Sequence, residues 1–186
     1  MVLGESHYCN DKCENCGDLS ITKCKEFTTE VIHRLLKYKE GKAEFETWMN
    51  TFIRFTNVII GKQTNYLVFK DFWNSILFYN YIQKTMSGPR ISPTEQDFKK
   101  YFDAFLETVN EYKPDLIIVW GKRLWNNLPK KGEWGDKILD GANGKFFYYI
   151  IDGEKIPSYG IYHPSSSTFG YIFNSYLKEA VHLAGV

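Results

Sequence analysis

Three short polar segments of this sequence carry side chains that can move protons or recognise a ligand. The first is Gly4-Glu5-Ser6-His7-Tyr8, which directly follows Val2-Leu3. The second is Asn80, near the end of the apolar run 76–82, and the third is His163-Pro164-Ser165, directly after the apolar run 156–162. Because parallel strands meet at one edge of a sheet, ligands of open α/β folds bind beyond their carboxyl ends. The three segments together predict one site.

Each segment also has a purely structural interpretation. An Asn at a strand end often satisfies a turn, a His-Pro pair is common in loops, and Gly-Glu-Ser is too short to be specific. The functional interpretation therefore depends on the three segments occurring together, in this order, each at the end of a predicted strand.

The four cysteines of the chain form a second group that could do chemistry. Cys9, Cys13, Cys16 and Cys24 follow the pattern C-x3-C-x2-C-x7-C, in a loop with little apolar content. Clustered thiols in a cytoplasmic chain indicate a metal rather than disulfides, with reduced, solvent-facing thiols as the structural alternative. Four thiolates bind Zn²⁺ tetrahedrally or hold an iron–sulfur cluster. We predict structural Zn²⁺, with the iron–sulfur cluster as the less favoured alternative.

Helices and strands alternate along the chain and would position these groups. We predict strands at 2–4, 76–82, 116–121, 146–151 and 156–162, with a hairpin turn at Asp152-Gly153. We predict helices at about 28–39, 43–60 and 65–74, after the capping box Ser92-Pro93-Thr94-Glu95, at 122–128, and from about 170 to the end. Residues 130–144 are predicted to be a surface excursion. The alternation predicts an α/β fold with a largely parallel sheet covered on both faces.

Length and composition limit the classes of protein that remain. The 186 residues, 44% hydrophobic, favour a single domain spanning 1–186, with the cysteine loop at about 9–24 as an appendage. No apolar run is long enough to cross a bilayer and no signal peptide opens the chain, so we expect a cytoplasmic protein with no membrane partner. The net charge of +1 neither indicates nor excludes nucleic acid.

Basic residues near the predicted cleft could contact phosphates. Lys84, Arg90, Lys122 and Arg123 are the candidates, although a solvated helix face explains Lys122 and Arg123 equally well. The pair Lys130-Lys131 is predicted to lie on the surface.

The ordered set of motifs resembles the uracil-DNA glycosylase superfamily. That superfamily has a Gly-initiated loop after strand one, a base-reading Asn on strand two and a His-Pro-Ser loop after the last core strand. The segments 113–121 and 156–165 are also similar to the iron–sulfur type of bacterial and archaeal uracil glycosylases. The resemblance implies a three-layer α/β/α fold with a mostly parallel four-stranded sheet. Residues 9–67 have no counterpart in it.

The resemblance implies hydrolysis of the glycosidic bond of uracil or another deaminated base in DNA. His163 would stabilise the departing base anion, and Asn80 would read the base edge. Tyr8 would close the pocket. Ser165 and Ser166 would hold phosphates, and Phe169 would wedge into the duplex. Phe69 and Phe72 are the candidates for a ring that stacks on the base, with core packing the expected role. We expect a DNA-binding monomer.

The opening motif departs from the family pattern. Ser6 stands where several branches have the Asp or Asn that positions water, and His7 replaces a Pro. A serine hydroxyl is a poor base at neutral pH, so Glu5, with His7 as an alternative, is the predicted base. One alternative is a non-catalytic nucleic-acid or nucleotide binder that keeps the fold. Another is a metal-dependent interaction protein whose cysteine loop docks a partner.

The cysteine pattern also departs from the families it resembles. Iron–sulfur uracil glycosylases split their four cysteines between two regions, whereas no cysteine here follows Cys24. The C-x3-C-x2-C core is also similar to that of radical enzymes that use S-adenosylmethionine, but the repeated units of that class are missing. The ligand set of neither family can therefore be carried over.

Overall fold

A computed structural model describes residues 1–8, 27–86, 91–138, 144–171 and 173–185. A mixed sheet of six strands organises these residues. The strands are β1 (Val2–Gly4), β3 (Phe78–Asn80), β5 (Ile117–Trp120), β6 (Gly132–Ile138), β7 (Lys145–Ile151) and β8 (Glu154–Ile161). They lie in the order β3-β1-β5-β8-β7-β6. Neighbours among β3, β1, β5 and β8 are parallel, and β7 and β6 are added antiparallel. The predicted α/β class is confirmed, but the sheet has six strands rather than four.

Alternate residues of the central strands face two separate cores. Ile118 and Trp120 of β5 belong to one buried cluster, while Ile117 and Val119 belong to the other. All four are buried, which is expected of a parallel strand covered on both faces. The buried cluster on the first face includes residues of four helices, and that on the second face includes residues of three.

The helices agree with the predicted pattern in type but differ at some boundaries. Helices α1 (Phe27–Lys39), α2 (Met49–Ile60), α3 (Tyr66–Asn74) and α7 (Phe173–Leu183) pack on one face. Helices α4 (Glu95–Lys100), α5 (Phe102–Tyr112) and α6 (Lys122–Asn127) pack on the other. Helix α2 begins six residues later than predicted, because 43–48 form turns and irregular structure.

The capping box of α4 lies two residues beyond the predicted one. Thr94 is the N-cap: its hydroxyl accepts from the Asp97 backbone N–H, and the Asp97 carboxylate accepts from the Thr94 backbone N–H. The prediction of a box from Ser92 to Glu95 is therefore wrong in register. Asp97 also pairs with Lys84, and these hydrogen bonds together lower the pKa of Asp97 to about 2.

The strand β6 corrects the prediction of a surface excursion at 130–144. It pairs antiparallel with β7 and forms one edge of the sheet. A Cβ atom at Gly132 would come within 2.0 Å of the Tyr148 carbonyl oxygen, so glycine is needed for the two backbones to approach there. The predicted hairpin between β7 and β8 is confirmed, with Asp152 and Gly153 at φ 50° and 82°.

A second, two-stranded parallel sheet joins β2 (His7–Tyr8) to β4 (Thr85–Met86). Strand β2 follows β1 along the chain, and β4 follows β3. The polar segment after β1 is therefore held by backbone pairing between β2 and β4. No helix in the part of the chain that the structure describes is long and apolar enough to cross a membrane.

Candidate active site

Gly4 and Asn80 lie side by side at the carboxyl ends of β1 and β3, where they are register partners. A Cβ atom at Gly4 would lie 2.6 Å from Asn80 Oδ1, so only glycine leaves room for this amide. Asn80 is 5% exposed, and its Nδ2 donates to Thr28 Oγ1 at 3.3 Å. One amide hydrogen and the carbonyl lone pairs of Asn80 are left over from that bond. The Asn80 amide is therefore fixed by Gly4 on its oxygen side and by Thr28 on its nitrogen side.

His163 follows β8 and packs over Gly121, which follows β5. Gly121 has a φ of 95°, and a Cβ atom there would be 3.5 Å from His163 Cβ. The imidazole also meets the ring of Trp120 edge-on, with centroids 6.1 Å apart. The close approach of Asn80 to Gly4 and the positive φ of Gly121 therefore shape the two sides of the site.

The loop after His163 fixes the tautomer of its ring. The Ser165 backbone N–H donates to His163 Nδ1 at 3.2 Å, and Ser165 Oγ is 2.7 Å from the same nitrogen. A backbone N–H can only donate, so Nδ1 is the acceptor and the neutral ring carries its proton on Nε2. Desolvation lowers the pKa of His163, the nearby Arg123 lowers it further, and Glu5 opposes both. His163 is therefore a neutral hydrogen-bond donor through Nε2 at neutral pH.

Glu5 is paired with Arg123, the second residue of α6. Arg123 Nε donates to Glu5 Oε2 at 2.8 Å and Nη2 donates to Oε1, which is the two-point geometry of a guanidinium on a carboxylate. The Glu5 side chain is only 13% exposed, whereas that of Arg123 is 51% exposed and also reaches Ser92. Glu5 raises the pKa of Arg123. The predicted base is thus held by a cation that solvent can reach.

The structure separates the other residues of the opening motif. Ser6 is half-buried beside Glu5. His7 is 7% exposed in the small sheet, with Nε2 3.3 Å from Thr85 Oγ1, and burial lowers its pKa to about 4. A neutral ring enclosed in this way is poorly placed to act on solvent water, which leaves Glu5 as the better base. Tyr8 is described only by its backbone pairing with Met86.

The residues predicted to contact DNA have different exposures. Ser165 is exposed and Ser166 is half-buried. Phe169 is fully buried and stacks on Phe173 with ring centroids 5.5 Å apart, so it belongs to the core and its burial does not support a wedge role. Tyr171, 53% exposed, is the aromatic ring that the same loop presents to solvent.

The two aromatic candidates for stacking on a base pack in the core, as expected. Phe69 is fully buried, which confirms its core-packing interpretation, and Phe72 lies against Phe55 and Trp73 in the same cluster. Phe78, two residues before Asn80, is half-buried, and its ring lies close to Gly4 and 5.6 Å from that of Trp120. Phe78 therefore packs against the core and also lies close to Gly4 at the end of β1.

The metal prediction falls outside the described residues. Cys9, Cys13, Cys16 and Cys24 all lie between 9 and 26, so nothing in the structure tests it. The described ranges contain no group of three His, Cys, Asp or Glu side chains that could hold a metal ion. Arg90, a predicted phosphate contact, also lies outside those ranges.

Lys130 is placed differently from the surface site that we predicted. Its Nζ donates to the Trp125 carbonyl at 2.6 Å and lies 4.2, 5.9 and 5.5 Å from the ring centroids of Trp125, Trp134 and Phe147. Burial lowers its pKa to about 8. We call these rings the lysine cage. Through the strand register, Trp134 and Phe147 lie level with Ile117 at the beginning of β5, whereas Gly121 follows the end of that strand. Lys131 is exposed, as predicted.

The interpretation of this site rests on its geometry rather than on known relatives. No protein-family model matches the chain, and no curated protein shows significant similarity to it. The function therefore has to be argued from the strand-end residues themselves.

Proposed function

We propose that the protein is a DNA N-glycosylase that removes uracil or another deaminated base by hydrolysis. The supporting observation is the residue at the carboxyl end of each parallel strand, in the order β3, β1, β5, β8: Asn80 ends β3, Glu5 follows β1, Arg123 follows β5 and His163 follows β8. Four adjacent strands thus contribute an amide, a carboxylate, a guanidinium and an imidazole to one edge of the sheet. This is the position at which α/β folds bind ligands.

The imidazole suits the leaving group of this reaction. When the bond between C1′ and the base nitrogen breaks, its electron pair moves to the base, and negative charge develops on the base carbonyl oxygen. A neutral His163 with its proton on Nε2 can donate to that oxygen without transferring the proton. Because the Ser165 backbone N–H fixes the tautomer beforehand, this donor needs little reorganisation during the reaction.

The amide and the carboxylate complete the proposed reaction. Asn80 has an acceptor and a donor for the imide-like edge of a deaminated base, and its hydrogen bond to Thr28 holds the amide plane in place. Glu5 would orient the water whose oxygen bonds to C1′ and accept its proton. A carboxylate has about four acceptor positions, so pairing with Arg123 does not exhaust its capacity.

The finer features of the fold belong to the same proposal. We propose that β3, β1, β5 and β8 correspond to the four-stranded parallel sheet of the uracil-DNA glycosylase superfamily, with helices on both faces. The antiparallel strands β7 and β6 would then be an extension on the His163 side.

Base release tests the proposal directly. Purified protein is incubated with single- and double-stranded oligonucleotides that contain uracil, hypoxanthine or xanthine, and free base is quantified by mass spectrometry. We expect release by the wild type and a loss of at least about a hundredfold in His163→Ala and Asn80→Ala. His182→Ala, an exposed histidine of α7, is the matched control and should match the wild type. If the wild type releases no base and both site variants bind the oligonucleotides as it does, the proposal is wrong.

A non-catalytic nucleic-acid binder is the second candidate. The observation that favours it is that both carboxylate oxygens of Glu5 are engaged by Arg123, while Ser6 supplies only a hydroxyl. Fluorescence anisotropy with the same oligonucleotides at several salt concentrations separates the two candidates. Binding that weakens steeply with salt, with no base released, would identify the binder.

We also propose that the four cysteines hold Zn²⁺ and that the protein acts as a monomer. The zinc proposal rests on the spacing of Cys9, Cys13, Cys16 and Cys24. Elemental analysis should give one zinc per chain in a colourless sample, and analytical ultracentrifugation should give a mass near 21.8 kDa. A brown sample that contains iron would replace zinc by an iron–sulfur cluster.

A further inference from the structure

Arg54 of α2 reaches the loop after His163. Its Nη2 donates to the Ser166 carbonyl at 3.1 Å and also to the Phe169 carbonyl. The loop has two further backbone hydrogen bonds, from Ser166 N–H to the His163 carbonyl and from Phe169 N–H to the Ser166 carbonyl. One guanidinium nitrogen therefore joins both ends of the turn 166–169 to a helix outside it.

The Ser166 and Phe169 carbonyls compensate the positive charge of Arg54. The Arg54 side chain is half-buried, and no carboxylate among the described residues lies within 4 Å of it. Burying a charge is unfavourable unless it is hydrogen-bonded, so the carbonyls are what compensates it. Hydrogen bonds that involve a charged group are stronger than the neutral bonds inside the turn.

The loop that Arg54 holds is the one that orients the imidazole. Ser165, whose backbone N–H donates to His163 Nδ1, is the residue directly before Ser166. If the Ser166 carbonyl loses its donor, the peptide units on both sides of it gain freedom to rotate, and the Ser165 N–H no longer points reliably at Nδ1. The imidazole would then lose the bond that fixes its tautomer and its ring plane.

We propose that Arg54 is a positioning residue that acts through the 163–169 loop to keep the His163 proton on Nε2. This inference rests on the proposed function for its catalytic consequence, but its effect on the imidazole can be measured without any turnover. Arg54 lies in the region for which the glycosylase resemblance offers no counterpart.

Three variants test the role of Arg54. Arg54→Met keeps the length of the side chain and removes the donors, and Arg54→Lys keeps the charge with a single donor centre. Arg34→Met is the matched control, since Arg34 is an exposed arginine of α1 that pairs with Glu46. The ¹⁵N shifts of the two His163 ring nitrogens at pH 7.5 report the tautomer, and single-turnover release of uracil reports the rate. Thermal unfolding shows whether each variant is folded.

We expect wild-type shifts typical of a protonated Nε2 and an unprotonated Nδ1. In Arg54→Met the two shifts should move toward each other as the tautomers mix, and base release should fall roughly tenfold to a hundredfold, as expected for a misplaced group. Arg54→Lys should restore part of both values, and Arg34→Met should match the wild type in both.

Unchanged His163 shifts in folded Arg54→Met would overturn the inference, even if base release falls. A wild type that releases no base refutes the proposed function instead, and the ¹⁵N comparison still decides the role of Arg54. If Arg54→Met does not fold, Arg54→Lys gives the same decision: shifts identical to the wild type at a reduced rate would contradict positioning.

Discussion

Two regions next to the sheet hold a cation near aromatic rings, and they do so by different chemistry. At the strand-end site, Arg123 meets the carboxylate of Glu5 near Trp120 and His163. At the opposite end, Lys130 lies in the lysine cage and donates to a backbone carbonyl. Glu5 raises the pKa of Arg123, whereas burial lowers that of Lys130. We therefore expect the pair of Glu5 and Arg123 to take part in ligand binding. We expect Lys130, held by aromatic rings and a backbone carbonyl, to stabilise the fold.

The difference has consequences for stability and for function that single substitutions can separate. Changes in the strand-end site should alter base recognition more than folding, except where they touch His7 or Gly4. Changes in the lysine cage should alter folding and leave the site intact.

Acid should produce the largest loss of stability, through His7. Its pKa is about 4 in the folded protein and near 6.5 when exposed, so between these values the unfolded chain binds more protons. The free energy of unfolding should therefore fall as the pH drops from about 6.5 to 4, by about 3 kcal/mol from this group. Urea unfolding across this range measures it. His7→Gln should flatten the profile relative to the wild type, and an equally steep profile in the variant would contradict the assignment.

Gly4→Ala should disturb the site and the fold together. The new Cβ atom would lie 2.6 Å from Asn80 Oδ1, so the amide has to move. We expect a loss of about 1–3 kcal/mol in the free energy of unfolding and at least roughly tenfold weaker binding of uracil-containing DNA. Gly170→Ala is the control, because a Cβ atom there meets nothing within 4 Å. Equal affinities of the two variants, measured by anisotropy, would mean that Asn80 does not read the base.

Lys130→Ala should destabilise the wing formed by β6 and β7. It removes the hydrogen bond to the Trp125 carbonyl and the contacts with three rings, and we expect a loss of about 2 kcal/mol in the free energy of unfolding. Lys131→Ala, next to it and exposed, should change stability by less than about 0.5 kcal/mol. Base release, measured at a temperature where both variants are folded, should match the wild type. That result would show that β6 and β7 do not contribute to the site.

Glu5→Gln should have the smallest effect on stability. Its partner is half-exposed, and exposed ion pairs contribute about 0–1 kcal/mol, so the free energy of unfolding should change by no more than that. Base release should nevertheless slow by at least roughly tenfold, because an amide cannot accept the proton of the attacking water. A variant with full activity would exclude Glu5 as the base and leave Ser6 to orient the water.

The central parallel strands β1 and β5 were predictable because their residues are buried on both faces. Runs such as 116–121 have no polar residue to place, and Gly4 and Gly121 mark the points at which such runs end. The edge strand β6 was missed for the opposite reason. Its sequence, Gly-Glu-Trp-Gly-Asp-Lys-Ile, is polar, and the described side chains 132–134 and 136 are exposed. A strand whose side chains face solvent leaves no apolar pattern to detect.

The capping box shows how tertiary contacts decide between equal local patterns. Ser92 to Glu95 and Thr94 to Asp97 both fit the spacing of a capping box. The second one forms, and its Asp97 also pairs with Lys84, a residue that sequence patterns do not connect to it. The same limit applies to the site. Strand ends indicated Glu5, Asn80 and His163, but the contacts of Arg123 and Thr28 depend on the packing of distant segments.

Burial also decided between equally plausible roles for the aromatic residues. A phenylalanine just after the His163 loop fits a wedge by position alone, yet Phe169 faces inward and stacks on Phe173. Only the direction of each side chain separates a core ring from a surface ring, and irregular loops carry no periodicity from which to predict it. For the same reason Lys130 was indistinguishable from Lys131 in the sequence.

The placement of β1 affects how the protein is made. β1 lies between β3 and β5, and Val2 pairs with both Phe78 and Ile118. Synthesis runs from the amino to the carboxyl end, so β1 leaves the ribosome before either neighbour exists and must wait, unpaired, for both. Parallel pairing between such distant segments is slow and exposes strand edges to aggregation. The strand that leads into Glu5 is therefore made before its partners, and a chain stalled before residue 117 would leave the β5 side of β1 unpaired.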